Sequence, residues 1–126
     1  MPISHRIDRE RRYVFFRIWG EFSTAEIIAA ITQALTDPDF KPGYNVLSDH
    51  TGVTRVIQRD QIEVTTSVLN KFRTALAGAR WAMVVGDSDY HWGMLRMLSG
   101  LSSGVPVEAQ TFREEAAAVR WLEEVV

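Results

Sequence analysis

The chain has 126 residues, 46% hydrophobic and 24% charged, with a net charge of −2 and no cysteine. That length suits a single domain over residues 1–126, able to bury roughly two thirds of the surface its unfolded chain would expose. Zero cysteine excludes disulfides, thiolate metal sites and cysteine nucleophiles, and the small net charge gives no global attraction to nucleic acid or an anionic membrane. No stretch approaches the roughly 20 apolar residues of a membrane span. The start "MPISHRIDRE" has no apolar core, so a signal peptide is not expected and a reducing cytoplasm is the expected location.

In chain order, "HRIDRERRYVFFRIWGEF" reads as two strands around a polar turn, with the aromatic and β-branched run Tyr13 to Trp19 closed by Gly20. Arg6, Arg9, Arg11, Arg12 and Arg17 cluster here, offset only by Asp8 and Glu10. Charged edge strands resist edge-to-edge pairing, which is the plain reading of the cluster; an anion-facing patch is the sharper one. "STAEIIAAITQAL" follows as a helix. Ser23 and Glu26 form a capping box, Ile27, Ile28, Ile31 and Leu35 share a face, and Asp37-Pro38 stops it.

"YNVLSD" is a short strand whose Val46-Leu47 core suggests burial, and "HTGVTRVIQR" a loop with Gly52 at a turn. Asp60 opens a second helix with Glu63 in the boxed position. Ile62, Leu69, Phe72 and Leu76 fall on one face, and Gly78 is a C-terminal stop. "RWAMVVG" is a continuous apolar run, as a parallel strand covered on both faces would be. "DSDYHWGMLRMLSGL" is a third helix with Tyr90, Met94, Leu95, Met97 and Leu98 on its apolar face. "VPVEAQT" is a last strand, alternating at Val105, Val107 and Ala109. Thr111 with Glu114 caps a final helix, whose Ala117, Val119, Trp121 and Leu122 face inward in part.

Alternating strands and helices require crossover connections and a largely parallel sheet. The expected fold is α/β: a mixed, mostly parallel sheet of four or five strands with four helices, its opening hairpin supplying an antiparallel edge.

Three stretches carry a resemblance to a known family. "NVLSDHTGVTRVIQRDQIEV" is a strand, a Gly-Val turn and an Asp-led helix start. "ARWAMVVGDSDYHWGMLRMLSGLSSGVPVEAQTF" is strand, helix and strand. "FREEAAAVRWLEE" is an Ala-rich tail ending in Trp-Leu. From Gly43 onward the chain resembles the SpoIIAA-like branch of the STAS superfamily (sulfate transporter and anti-sigma-factor antagonist). The resemblance implies a bacterial regulatory domain that binds partners, nucleotides or small apolar ligands and has no enzymatic activity. In the regulatory members a serine following an Asp at the start of the second helix is phosphorylated. Here Asp60 is followed by Gln61, so the phosphate acceptor is absent; a shifted register would offer Thr54 or Thr65 instead.

In open α/β sheets ligands gather beyond the carboxyl ends of the strands. Those ends are "SDHTG" and "GDSDYH", which supply Asp49, His50, Thr51, Gly86, Asp87, Ser88, Asp89 and His91. Ser88 and His91 with a nearby Asp have the residue types of a hydrolase triad. No Gly-x-Ser-x-Gly elbow presents the serine, however, and Ser88 or Asp87 equally caps the third helix. Asp87, Asp89 and His91, joined by His50 or Asp49, have metal-ligating types, but Asp-x-Asp is common at helix starts. An anion cradled on the amides after Gly86 would meet Asp87 and Asp89. Trp92, Met94, Met97 and Leu101 are core, or else wall a cleft or an oligomer face; the pair Trp92-Gly93 is expected to be exposed.

The expected function is therefore a non-enzymatic regulatory or protein-interaction module without cofactor or metal, partnering a protein or itself as a homodimer. Its ligand or partner contacts are expected among Asp49, His50, Thr51, Asp60, Gln61, Gly86, Asp87, Ser88, His91 and Trp92. The alternatives are binding of a small apolar or lipid-like ligand beside Trp92, Met94 and Met97, or a small hydrolase or metal-dependent enzyme using Asp49, His50, Ser88 and His91. Neither nucleic acid nor an integral membrane segment is expected.

Overall fold

The computed structural model describes residues 3–53, 58–87, 89, 92, 93, 96 and 107–124. Its centre is a five-stranded sheet in the order β1 (Ile3–Asp8), β2 (Tyr13–Gly20), β3 (Asn45–Val53), β4 (Arg80–Val84), β5 (Glu108–Phe112). β1 and β2 are an antiparallel hairpin and the remaining pairs are parallel. The described helices are α1 (Thr24–Leu35), α2 (Arg59–Lys71), α3 (Arg73–Leu76) and α4 (Glu115–Leu122).

When parallel strands follow one another in chain order, crossovers of one hand all fall on one face. α1 and α2 lie together on that first face, where Ile27, Ile31, Ile62 and Leu69 pack on Val14, Phe16, Val46, Trp81 and Met83. α4 follows the last strand and is free of that constraint. It covers the second face, setting Ala118 and Leu122 on Tyr13, Leu47, Ala82 and Val84. Strand alternation sorts the two sets, and register aligns them: Phe16 is opposite Ser48, and Ser48 opposite Met83. Each large apolar side chain so buried contributes about 1.5–3 kcal/mol.

Ser23 caps α1 as the sequence indicates. Its hydroxyl accepts the Glu26 N–H at 3.2 Å, and the Glu26 carboxylate accepts the Ser23 N–H at 2.9 Å. Beyond the helix end, His5 Nε2 lies 3.2 Å from Asp37 Oδ2, joining β1 to the α1 terminus. Gly78, at φ +78°, closes the segment after α3.

Several expectations are corrected. β3 does not stop at Asp49 but continues to Val53, because β2 has the length to pair with it past a bulge between Arg17 and Trp19. Gly52 is thus a strand residue beneath Trp19, not a turn: a Cβ there would stand 2.9 Å from Trp19 Cβ. α2 begins at Arg59, with Gln58 as cap rather than Asp60; Glu63 instead pairs with Arg59, one turn before it, at 3.3 Å. The helix breaks at Phe72 into α3. Thr111 is buried in β5 and does not cap α4, whose N-cap is Glu114; Ala118, not Ala117, is buried. Of the expected third helix, Asp89, Trp92, Gly93 and Arg96 are helical, while Tyr90, Met94, Leu95, Met97, Leu98 and Leu101 lie outside the described residues, as does Val105.

Candidate functional site

Ser48 is 1% exposed, in the middle of the sheet. A hydroxyl buried so deeply needs partners, since an unmet one costs about 1–3 kcal/mol. Alternation supplies one, because residues two apart in a strand share a face. His50 therefore stands beside Ser48, its Nε2 2.8 Å from the Ser48 Oγ, and the sense of that hydrogen bond follows the imidazole tautomer. The next strand supplies the other: Trp81 Nε1–H donates to the same oxygen at 2.9 Å. The Trp81 ring lies nearly parallel to Phe16, at 11° with centroids 6.3 Å apart. A serine, a histidine and an indole N–H thus form one polar line across an otherwise apolar floor.

Above this floor α1 and α2 leave a cavity. Ile27, Ala30 and Ile31 of α1 form one wall and Gln61, Ile62 and Thr65 of α2 the other. Ile3, Ile18 and Phe22 close the β1 side, and Phe16, Ser48, His50, Trp81 and Met83 form the base. About 70 Å³ is open to the centre of a water-sized sphere. One water needs about 10–15 Å³ by that measure, so the space admits a small organic molecule rather than a single solvent molecule. A concave, mostly apolar space with few convergent polar groups is the usual character of a ligand site.

Gln61 fixes the geometry of the mouth. Its Oε1 accepts the Gln58 N–H at 3.0 Å, capping α2, and its Nε2 donates to the Phe22 carbonyl at 3.4 Å, in the segment leading into α1. Thr65, a shifted-register candidate for modification, donates its hydroxyl to the Gln61 carbonyl at 2.8 Å. Thr54 lies outside the described residues.

The residues singled out from the sequence divide into separate places. His50 and Gln61 border the cavity. Asp49 faces the other side of the sheet, where its Oδ1 accepts the Thr51 N–H at 2.9 Å and the Thr51 hydroxyl at 2.6 Å. Gly86, at φ +66°, sits against Thr51, and a Cβ there would be 3.4 Å from Thr51 Cγ2. Asp60 and Asp87 are exposed, and Asp60 gains from the positive end of α2. Ser88 and His91 lie outside the described residues. Asp49 and His50 therefore do not converge, and among the described residues no three His, Asp or Glu side chains form a group able to hold a metal.

Trp92 is half-buried rather than open. The Arg113 guanidinium lies 4.6 Å from its ring centroid, while also donating to the Gly86 carbonyl at 3.2 Å and the Asp89 carboxylate at 2.7 Å. A second, more open concavity is lined by Trp92, Arg96, Ala109, Gln110 and Thr111, where a cleft beside Trp92 was expected; Met94 and Met97 lie outside the described residues. Sequence reading missed Ser48, Trp81 and Phe16 as site residues. The available signal was Ser-x-His in a strand, which puts two hydrogen-bonding side chains on one buried face.

Among the described residues no helix is long and apolar enough to cross a membrane. No protein-family model matches the chain, and no curated protein does. Among solved structures, it is similar to an uncharacterized protein of the DUF3478 family with a SpoIIAA-like fold from Shewanella loihica PV-4. The TM-score is 0.63 at 17% identity, covering 95% of this chain and 91% of that one. At that identity the likeness concerns fold alone, and on it the chain has the SpoIIAA-like, STAS-type fold.

Proposed function

We propose that this chain is a non-enzymatic regulatory module that binds a small, largely apolar molecule in the cavity between α1, α2 and the sheet. Occupancy is read out by a protein partner through those helices. The observation that carries this reading is the cavity itself, with Ser48, His50 and Trp81 offering a single polar anchoring line at its base. The ligand class that fits is a short aliphatic or aromatic body with one hydrogen-bonding group.

Binding is favoured over acyl transfer on physical grounds. The Ser48 oxygen already accepts the Trp81 N–H, and it lies in a strand paired on both sides, whose amides are spent in the sheet ladder. Stabilising a tetrahedral intermediate needs donors aimed at the developing oxyanion. Gln61 stands where the regulatory STAS proteins have their phosphate acceptor, and a carboxamide cannot take phosphate. In this reading Gln61 is a fixed brace and the ligand replaces the modification as the signal.

The test is thermal stabilisation by a series of straight-chain alcohols and carboxylic acids of increasing length. A ligand present at one hundred times its Kd stabilises the folded state by about 2.7 kcal/mol. The expected result is a rise in Tm that grows with chain length until the cavity is full. Ala30→Leu, which fills the cavity, should remove the rise while the variant stays folded. No rise for any compound, or an equal rise in Ala30→Leu, would count against the site.

A further inference from the structure

The Ser48 hydroxyl has one hydrogen to donate and two lone pairs to accept with. The Trp81 indole nitrogen can only donate, so at 2.9 Å its hydrogen takes one of those lone pairs. His50 Nε2, at 2.8 Å, either accepts the serine hydrogen or donates its own to the second lone pair. The first arrangement meets the hydroxyl hydrogen inside the protein. The second leaves that hydrogen without an acceptor among the described residues, on a side chain that is 1% exposed. A buried polar hydrogen left unmet carries a penalty that a satisfied one avoids. The chain of bonds therefore runs one way, from the Trp81 N–H to the Ser48 oxygen and from the Ser48 O–H to His50 Nε2. It sets His50 in the tautomer with its hydrogen on Nδ1. What Ser48 has left is one lone pair, and Ser48 lies at the base of the cavity. Gln61 and Thr65, on the α2 wall, already donate to the Phe22 and Gln61 carbonyls.

We propose that the ligand of this cavity is a neutral hydroxyl compound, an alcohol or phenol with an apolar body, whose O–H donates to the remaining lone pair of Ser48. The inference rests on the binding role given to the cavity above. A ketone, an ether or an ionised carboxylate has no hydrogen to give. Each would meet the lone pair with another, unless Ser48 turned its hydrogen toward the ligand and His50 changed tautomer to replace it. An alkyl ammonium has hydrogens, but carrying its charge into an apolar space is costly. His50 acts here through Ser48, as a positioning residue: its tautomer decides whether the base of the cavity offers a lone pair or a hydrogen.

The test compares 2-heptanol with 2-heptanone, which share a carbon skeleton and differ in whether the oxygen carries a hydrogen. Dissociation constants are read from the Trp81 indole signal at about pH 8, where an ordinary imidazole is neutral. The alcohol should bind about tenfold more tightly than the ketone. In Ser48→Ala, which lacks the acceptor, the two should bind within about twofold of each other. Nitrogen-15 spectra of wild-type protein should show His50 as the Nδ1–H tautomer, both free and with 2-heptanol bound. A ketone that binds as tightly as the alcohol, a preference for the alcohol that survives in Ser48→Ala, or a free-protein His50 with its hydrogen on Nε2 would each overturn the hydroxyl assignment while leaving the cavity a binding site. Binding of neither compound would remove the cavity reading and this inference with it. The affinity ratio and the tautomer are both measured on unaltered protein, so a Ser48→Ala chain that fails to fold leaves two decisive measurements in place.

Discussion

The Gln61 carboxamide joins two helix entries at once: Oε1 takes the Gln58 N–H of the α2 cap and Nε2 reaches the Phe22 carbonyl ahead of α1. One side chain thereby sets the spacing of the two helices that wall the cavity. The length of the glutamine side chain is what lets it make both contacts.

Gln61→Ser should therefore destabilise the protein without restoring any switch. Loss of a helix cap costs about 0.5–2 kcal/mol. Urea unfolding should show the midpoint fall with an unchanged m value, and intact-mass analysis of wild-type protein incubated with STAS-directed serine kinases should show no added phosphate. A phosphate mapped to Thr54 or Thr65 would place the family register elsewhere.

Ser48→Ala leaves the Trp81 indole N–H buried without its acceptor, at a cost of about 1–3 kcal/mol. Trp81→Phe removes the donor while keeping a ring against Phe16. The double variant should therefore lose less than the sum of the two, by about 0.5 kcal/mol or more. Additive losses in chemical denaturation would mean that the two side chains do not share a hydrogen bond in solution.

Gly52→Ala introduces a Cβ at 2.9 Å from Trp19 Cβ and 3.4 Å from Trp19 Cα, where backbone must move. Overpacking of this kind costs about 1–3 kcal/mol. Thermal unfolding should show a lower Tm. An unchanged Tm would show that β3 does not run against β2 as far as Val53.

Asp37 carries a pH signature. Its carboxyl is held below the ordinary 3.8 first by the Asp39 backbone N–H and then by the hydrogen bond from His5. A depressed folded-state pKa contributes stability that is fully present above the unfolded value and is lost as pH falls through the lower folded value. Asp37→Asn should accordingly be less stable than wild type at pH 6, with the difference shrinking below pH 3.8 as the wild-type carboxyl takes up its proton. A difference constant from pH 6 to pH 2 would assign the loss to something other than charge.

The sheet and the helix on either side of it were legible because their signals are local. Ser23 and Glu26 cap α1, the run Trp81 to Val85 is apolar throughout, and Gly78 takes the left-handed conformation that ends a helix. The site was less legible because it is made by register. Ser48 meets Trp81 across 33 positions of sequence, and nothing in either segment announces the other. The end of β3 was misread for the same reason: Gly52 looks like a turn residue until Trp19 of the neighbouring strand is laid over it. The capping residue of α2 was obscured because Asp60 and Glu63 have the conventional box spacing, while Gln58 and Gln61, two residues earlier, form the cap.

The most direct test of the cavity as the binding site is an NMR titration that follows the four tryptophan indole N–H signals while a six- to eight-carbon alcohol is added. The Trp81 signal should shift in a saturable way together with the amides of Ile31, Ile62 and Ser48, while Trp19, Trp92 and Trp121 stay in place. A Trp81 signal that does not move, or shifts confined to Trp92 and Arg113, would contradict it.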